Sequence, residues 1–559
     1  MSEFTKGTNK FVDWVHRNFQ QVSSKLKVVD LRSESQGRGL VAEDDITEGE
    51  TLFEFTRDKI INVDSATLTN LRDGQNETIL ISLGQWEALI LCLAYEIMLG
   101  DKSRWHPYLQ ILPQNKSQFS TLMYWKEDEL KYLKPSSVLD RIGKESVIQL
   151  YHKLVPRYCT KLGVPKMAEF LTLEKFSAIG SLIMSYSFDV DHAEVIEEEE
   201  EEEDKEEKNA FSIDKTNVDG IENEQNDNGC SENDNCSDNK KEDIDEDDLT
   251  ECIRNDTYLK SMVPLADTLN ANTTLVNATL HYDHEKLAMK AIKDIKKGEQ
   301  IYNTYGELPN SEILRKYGYI ELPSSAAEFA DLPLCLIIDH YKKCFTKAFP
   351  TLKNAPMVVN RILDLIKSSE YLEQTLVDSD GGIVIDKYEI YAKGELLPEF
   401  ILMLLIFSTL LGSFKSDLKW FKRLLRHSER REFDIFVNRT VVKCFQLLEE
   451  RSIVTKSLMQ DLKDIVISAI DRYPEKIREG KYELPNSFSS KLSKQDIADI
   501  ILSDEVACLK STLDGEFPPK SKETGTPKYT IIEDKKLLRN VLKRKIQEDE
   551  RRLHKRKRA

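Results

Sequence analysis

Near the N-terminus, Phe11, Trp14, Val15 and Phe19 fall at helical spacing and predict a short amphipathic helix over residues 10–19. The pattern then changes. Val28 to Leu31, Gly39 to Ala42 and Leu52 to Phe55 are short apolar runs broken by Gly and Asp, the signature of strands in a small, irregular β unit. Helical spacing returns at Trp86, Leu89, Ile90, Leu93 and Ile97 and continues in pieces to Leu182, which predicts a helical insert between parts of that β unit. Leu259 to Ala266 and Ala288 to Tyr302 are β-like again. From Ala326 to about Leu509 the spacing is helical throughout, with Val358 to Ile366 and Val441 to Leu448 as typical stripes, and predicts a separate α-helical domain. The longest apolar run, Phe400 to Leu411, falls short of the ~20 residues a bilayer span needs and reads as a buried helix.

Charge alters this picture in one place. The chain of 559 residues has a formal net charge of -18, yet Ala193 to Thr250 alone holds 25 acidic and 5 basic residues. Outside that segment the chain is nearly neutral, so its acidity says nothing of a basic partner. The segment is rich in Asn and Ser and poor in aromatics, and is expected to be a disordered insert, with an acidic lure for a basic substrate as the alternative to a tolerated loop. The opposite bias marks the end, where Lys535 to Arg558 carries 12 basic and 3 acidic residues. The final Lys555-Arg556-Lys557-Arg558 run reads as a nuclear localisation signal, a ribosome contact or a solvated tail, and nucleic acid contact is expected only there.

Nine cysteines are scattered without a Cys-x-x-Cys pair, and Cys230 and Cys236 have no matching His or Cys pair. Free thiols in a reducing compartment and no metal are therefore expected. Met1 to Gln20 is polar with scattered aromatics, unlike a signal peptide. A soluble intracellular protein without membrane partners is expected.

Three segments carry candidate chemistry. Gln36-Gly37-Arg38-Gly39 allows close backbone approach to a ligand, but Ala42 breaks the dinucleotide fingerprint, and alone it reads as a plain turn. Asp267-Thr268-Leu269-Asn270-Ala271 follows an apolar strand and alone reads as an Asx-type turn. Tyr302, Tyr305, Tyr317 and Tyr319 then place four tyrosines in eighteen residues, either a packed ring core or a cavity wall at a strand end.

In this order the three segments resemble the SET-domain lysine methyltransferases, and more narrowly the Rubisco large-subunit methyltransferase class. Asn270-Ala271 with Asn303-Thr304-Tyr305-Gly306-Glu307 is similar to the fungal ribosomal lysine N-methyltransferase 4 group, itself similar to human SET-domain-containing protein 6. The resemblance implies an α+β fold. It has an irregular β SET core over 20–325 with a helical insert at about 65–180 and the acidic insert at 193–250, then an all-α substrate-binding domain at 326–515 and a basic tail at 530–559. It implies S-adenosylmethionine as cofactor, contacted by Gln36, Arg38 (main chain and side chain), Asn270, Ala271, Tyr305 and Tyr319. Tyr305 is the implied catalytic residue, and Ser185, Asp267, Tyr282 and Tyr317 line the lysine tunnel, with Phe188 completing the Ser185-Tyr186-Ser187-Phe188 segment. Two positions depart from the family: Ala271 stands where His is usual, and Tyr186 where Arg is usual. The implied partner is a protein substrate, for the closer group the 60S ribosomal protein L42 with one methyl added, and the implied location is the nucleus, with the cytoplasm also open. A histone or transcription factor is the alternative substrate, and Ala271 keeps open a SET scaffold without activity. No Cys-x-Cys follows Tyr319, unlike many histone-type enzymes, which favours a non-histone target gripped by the helical domain.

Overall fold

The computed structural model describes residues 2–34, 36–192, 253, 256–376, 382–481, 492–514, 518, 528–543 and 547. The acidic segment expected to be disordered and the terminal basic run lie outside them. Contacts divide the chain into two compact units. One holds Met1–Tyr124, Gly143–Gly306 and Lys316–Gly318; the other holds Trp125–Ile142, Glu307–Arg315 and Tyr319–Ala559. Residues 125–142 of the expected insert and 307–315 and 319–325 of the expected SET region thus group with the helical unit.

The first unit is built on small sheets. Its strands are β1 (Gln21–Val22), β2 (Leu26–Asp30), β3 (Arg38–Ala42), β4 (Thr51–Thr56), β5 (Ser187–Asp191), β6 (Tyr258–Met262), β7 (Asn270–Ala271), β8 (Ala278–Tyr282), β9 (Lys286–Ala291) and β10 (Gln300–Asn303). They form sheets of order β1-β4-β9-β8 and β2-β3-β10-β7, plus the pair β5-β6. Only β7 and β10 run parallel in the second of these. A register shift between Thr51 and Phe53 turns both Leu52 and Phe53 inward, which strict alternation forbids. The N-terminal helix Glu3–Asn18 starts where the Ser2 hydroxyl accepts from the Thr5 N–H, and it buries Phe11, Trp14 and Val15. The helix Gln85–Leu99 is apolar nearly all round and lies in the middle of this core.

The second unit is mainly helical, and its central helix is Pro398–Ser416. The sequence run looked too short to cross a membrane, yet this helix has 19 residues and is long and apolar enough to do so. Burial assigns it instead to the protein core: Phe400 to Leu411 are all buried, and it packs on the helices Arg430–Arg451 and Lys456–Ile470.

Helical spacing does not hold throughout this unit. Strands β11 (Phe329–Pro333) and β12 (Lys387–Tyr391) pair antiparallel, and β13 (Ile453–Thr455) pairs parallel with β14 (Thr530–Ile532). In β12 Tyr388 and Ile390 are buried while their neighbours are not, a two-residue alternation too short to stand out among helical stripes. The expected basic tail is also shorter: β14 and the helix Asp534–Val541 belong to this unit and bury Leu537.

Candidate functional site

The motif segments meet at the sheet β2-β3-β10-β7. Gly37 turns the chain into β3 with φ +67°, a conformation glycine adopts at little cost, and a Cβ there would enter open space. At Gly39 a Cβ would lie 2.6 Å from Leu31 Cδ1, 2.7 Å from Gln300 Oε1 and 2.9 Å from Asn270 Nδ2. The missing side chain therefore lets Asn270 and Gln300 close over the strand. Asn270 Nδ2 donates to the Arg38 carbonyl at 3.2 Å and to Gln300 Oε1 at 2.6 Å. Gln300 Nε2 donates to Gln36 Oε1 and to the Tyr302 hydroxyl, both at 2.8 Å.

Gln300 is thus the hub that joins Gln36, Asn270 and Tyr302. Sequence reasoning passed over it, since a lone Gln inside a strand carries no motif. Asn277 backs the same strand: its Oδ1 accepts from the Tyr302 N–H and its Nδ2 donates to the Gln300 carbonyl.

Parallel pairing sets Asn270 beside Tyr302 and Ala271 beside Asn303. The chain leaves β10 at Asn303 and reaches Tyr305 two residues on. The half-buried Tyr305 ring stacks on Tyr317, with centroids 4.1 Å apart and planes at 17°. Ser185 is buried at the end of the helix Leu173–Tyr186, and its hydroxyl donates to the Lys316 carbonyl at 2.6 Å, which anchors the segment that presents Tyr317. Phe188, on β5, packs against the core.

Other expected site residues lie differently. The Arg38 main chain belongs to the site, but its side chain turns to the N-terminal helix. Nε donates to Thr8 Oγ1, Nη1 donates to the Ile111 carbonyl, and the guanidinium sits 3.9 Å over the Phe4 ring. Tyr282, on β8, donates to Asp191 Oδ2 at 3.2 Å, and burial with that carboxylate raises its pKa. Tyr319 groups with the second unit.

Asp267 is buried, 7% exposed, and accepts from the Tyr108 hydroxyl. Burial pushes its carboxyl up to about 7. Burial thus favours the neutral form of Asp267. Tyr186 is half-buried, and its hydroxyl is pushed up to about 12, first by loss of water around it, then by Asp267, with Arg38 opposing. Leu265, just before this segment, holds φ +71° in the left-handed region, a strain that packing around its buried side chain sustains.

The site offers carboxamides, main-chain carbonyls and N–H groups, and stacked phenol rings. Such groups suit a ligand that is zwitterionic and carries a further positive charge on sulfur: carbonyls and carboxamides accept from an ammonium, N–H groups donate to a carboxylate, and ring faces tolerate a sulfonium. The open space at Gly37 and the neutral Gln36–Gln300–Asn270 network agree with that ligand.

Comparison with known proteins bears on this reading. The family model "SET domain" matches residues 37–306. The chain is 32% identical to ribosomal lysine N-methyltransferase 4 of Saccharomyces cerevisiae over 557 residues, 98% of each chain. It is 29% identical to the protein of the same name in Schizosaccharomyces pombe, covering 58% of this chain and 69% of that one. N-lysine methyltransferase SETD6 of Rattus norvegicus is 25% identical, covering 69% and 67% respectively. Among solved structures, Rubisco LSMT bound to sinefungin and monomethyllysine aligns with a TM-score of 0.53 at 19% identity, over 92% of this chain and 91% of that one. At that identity the structural likeness speaks for the fold.

Proposed function

The chain belongs to the SET-domain protein-lysine methyltransferases, and from that premise we propose that its substrate is a ribosomal protein of the large subunit, L42, which receives one methyl group. The general activity is S-adenosylmethionine-dependent transfer of methyl to a protein lysine. The observation that carries the finer reading is the extent of the likeness to ribosomal lysine N-methyltransferase 4 of Saccharomyces cerevisiae: it runs through 98% of both chains, helical unit included, whereas the likeness to SETD6 of Rattus norvegicus covers about two thirds.

When bound, the cofactor supplies an electrophilic methyl group on a sulfonium. Gln36, the Arg38 main chain, Asn270 and Ala271 would hold it, with Gln300 setting the orientation of the Asn270 and Gln36 carboxamides. The protein's remaining task is to present a neutral amine in line with the methyl, ~3–3.5 Å away. A free lysine has a pKa near ~10.4, so most of it is protonated at neutral pH. The Tyr305–Tyr317 pair offers an apolar, aromatic wall that disfavours the ammonium and eases loss of its proton. The Tyr305 hydroxyl orients the amine, and the ring faces stabilise positive charge as it moves onto nitrogen. Water or Tyr305 takes the proton.

We further propose a nuclear location, supported by the run Lys555-Arg556-Lys557-Arg558. Truncation before Lys555 should shift a fluorescently tagged protein toward the cytoplasm, and an unchanged distribution would count against the signal. The substrate is tested with purified large ribosomal subunits and nucleosomes offered side by side with labelled cofactor. Label in L42 at a single lysine, carrying one methyl by mass spectrometry, is expected. Label confined to histones would transfer the substrate to chromatin.

A further inference from the structure

The helical unit contains a group of side chains that methyl transfer does not use. His340 and Cys344 lie one turn apart on the helix Leu334–Ala348, and Asp461 projects from the helix Lys456–Ile470. His340 Nε2 is 3.1 Å from Asp461 Oδ1 and 3.4 Å from Cys344 Sγ. The three atoms lie within 4.8 Å of one another.

Both neighbours converge on the same ring nitrogen. Nε2 carries one proton or one lone pair, so it cannot serve a carboxylate and a thiol fully at once. A hydrogen-bonded relay would place its two partners on opposite ring nitrogens, as the Ser-His-Asp arrangement does. Three donors of different type meeting at one point suit a metal ion, which accepts all three.

The spacing agrees. With Zn–N and Zn–O near ~2.0–2.1 Å and Zn–S near ~2.3 Å, tetrahedral geometry separates N from O by about 3.3 Å and N from S by about 3.5 Å. The other carboxylate oxygen of Asp461 is already held, since the buried Tyr341 hydroxyl donates to Oδ2 at 3.0 Å. That contact fixes the carboxylate with Oδ1 toward the cluster, the role outer hydrogen bonds play at metal sites. His340 and Asp461 are about one-eighth exposed, 12% and 13%, so water can reach the fourth position.

We propose that His340, Cys344 and Asp461 form a binding site for one zinc-class divalent cation, completed by water. An imidazole, a thiolate and a carboxylate favour Zn²⁺ over the harder Mg²⁺ or Ca²⁺. On binding, Cys344 releases its thiol proton and His340 the ring proton that the Asp461 carboxylate favours, both to solvent, so the ion meets a thiolate and a neutral imidazole. The ion clamps the helices Leu334–Ala348 and Lys456–Ile470 together.

The test is titration of the full-length, chelator-stripped protein with Co²⁺, read by absorption, followed by displacement with Zn²⁺. One equivalent of Co²⁺ is expected, with visible bands of a four-coordinate ion and a near-ultraviolet thiolate-to-cobalt band. Cys344→Ser should abolish the thiolate band and the raised melting temperature that Zn²⁺ gives the wild type. Cys335→Ser, which alters an exposed thiol on the same helix, should change neither. Tyr341→Phe should weaken Zn²⁺ binding about tenfold. Circular dichroism of each variant establishes that it folds. The proposal is overturned if the wild type binds no stoichiometric Co²⁺, if only six-coordinate bands without a thiolate band appear, or if Cys344→Ser binds as the wild type does.

Discussion

The cofactor site of the methyltransferase unit and the core of the helical unit hold their polar groups in different ways. Around Gly37 and Gly39 the first uses neutral carboxamides and main-chain groups, each tied to the next: Asn270 to Arg38 and Gln300, and Gln300 to Gln36 and Tyr302. The second buries carboxyl groups. Glu505 accepts from the Ser136 and Tyr473 hydroxyls, and Asp504 accepts from Ser324 and Asn310. Burial pushes Glu505 up to about 7, and burial with the nearby Asp504 raises Glu328 as well. The contrast separates two kinds of sensitivity. A network of amides depends on shape and hardly on pH, whereas buried carboxyls depend on their protons.

The largest effect on cofactor affinity should come from Asn270→Ala. It leaves the Arg38 carbonyl and Gln300 Oε1 without their donor, at about 1–3 kcal/mol each when desolvated. Cofactor affinity by calorimetry should fall by at least about tenfold, and unchanged affinity would break the claim that these amides form the site.

The second unit should respond to alkali instead. The folded-state pKa of Glu505 lies above its unfolded value. Its contribution is therefore fully present below about pH 4 and is lost as pH rises through about 7. Glu328 and Asp504 are shifted in the same direction by burial, so their contributions are also lost on the alkaline side. Urea unfolding of the full-length protein should show stability falling by on the order of 2–3 kcal/mol between pH 5 and pH 8 from Glu505 alone. Glu505→Gln should flatten that slope. Asp267 in the first unit shifts the same way, so amide exchange resolved by segment sharpens the comparison. Around Glu505, Glu328 and Asp504 protection should fall more than around Asp267.

The two glycines give a smaller, paired test. Gly39→Ala places a methyl against Leu31, Gln300 and Asn270 and should cost about 1–3 kcal/mol by urea denaturation, with weaker cofactor binding. Gly37→Ala meets no atom, so its cost should be only the ~1–2 kcal/mol of a left-handed backbone. Equal effects of the two on cofactor affinity would contradict the close approach at Gly39.

The same contrast explains what the sequence made legible. The first unit's chemistry sits in short local motifs: Gly-x-Gly, Asp267 with Asn270, and the Tyr305 cluster each read alone as a turn or a ring core, and only their order along the chain makes them legible. Gln300 did not stand out, because its importance lies in reaching Gln36 across 264 positions. The outward turn of the Arg38 side chain was hidden for the same reason: Thr8 and Ile111 come from other parts of the chain. In the second unit apolar stripes announced helices but concealed the five-residue strands β11 and β12. His340 and Cys344 are visible as a helical pair, yet Asp461 lies 121 residues from His340, and no spacing rule joins them.

The central claim, methyl transfer directed by the tyrosine that follows β10, is tested most directly by Tyr305→Phe, with cofactor affinity and labelled methyl transfer measured on the same preparation. The account predicts cofactor affinity within a few-fold of wild type and transfer reduced at least about 100-fold, the scale for losing one preorganised hydroxyl at a reacting centre. Transfer near the wild-type rate in that folded, cofactor-binding variant would contradict it.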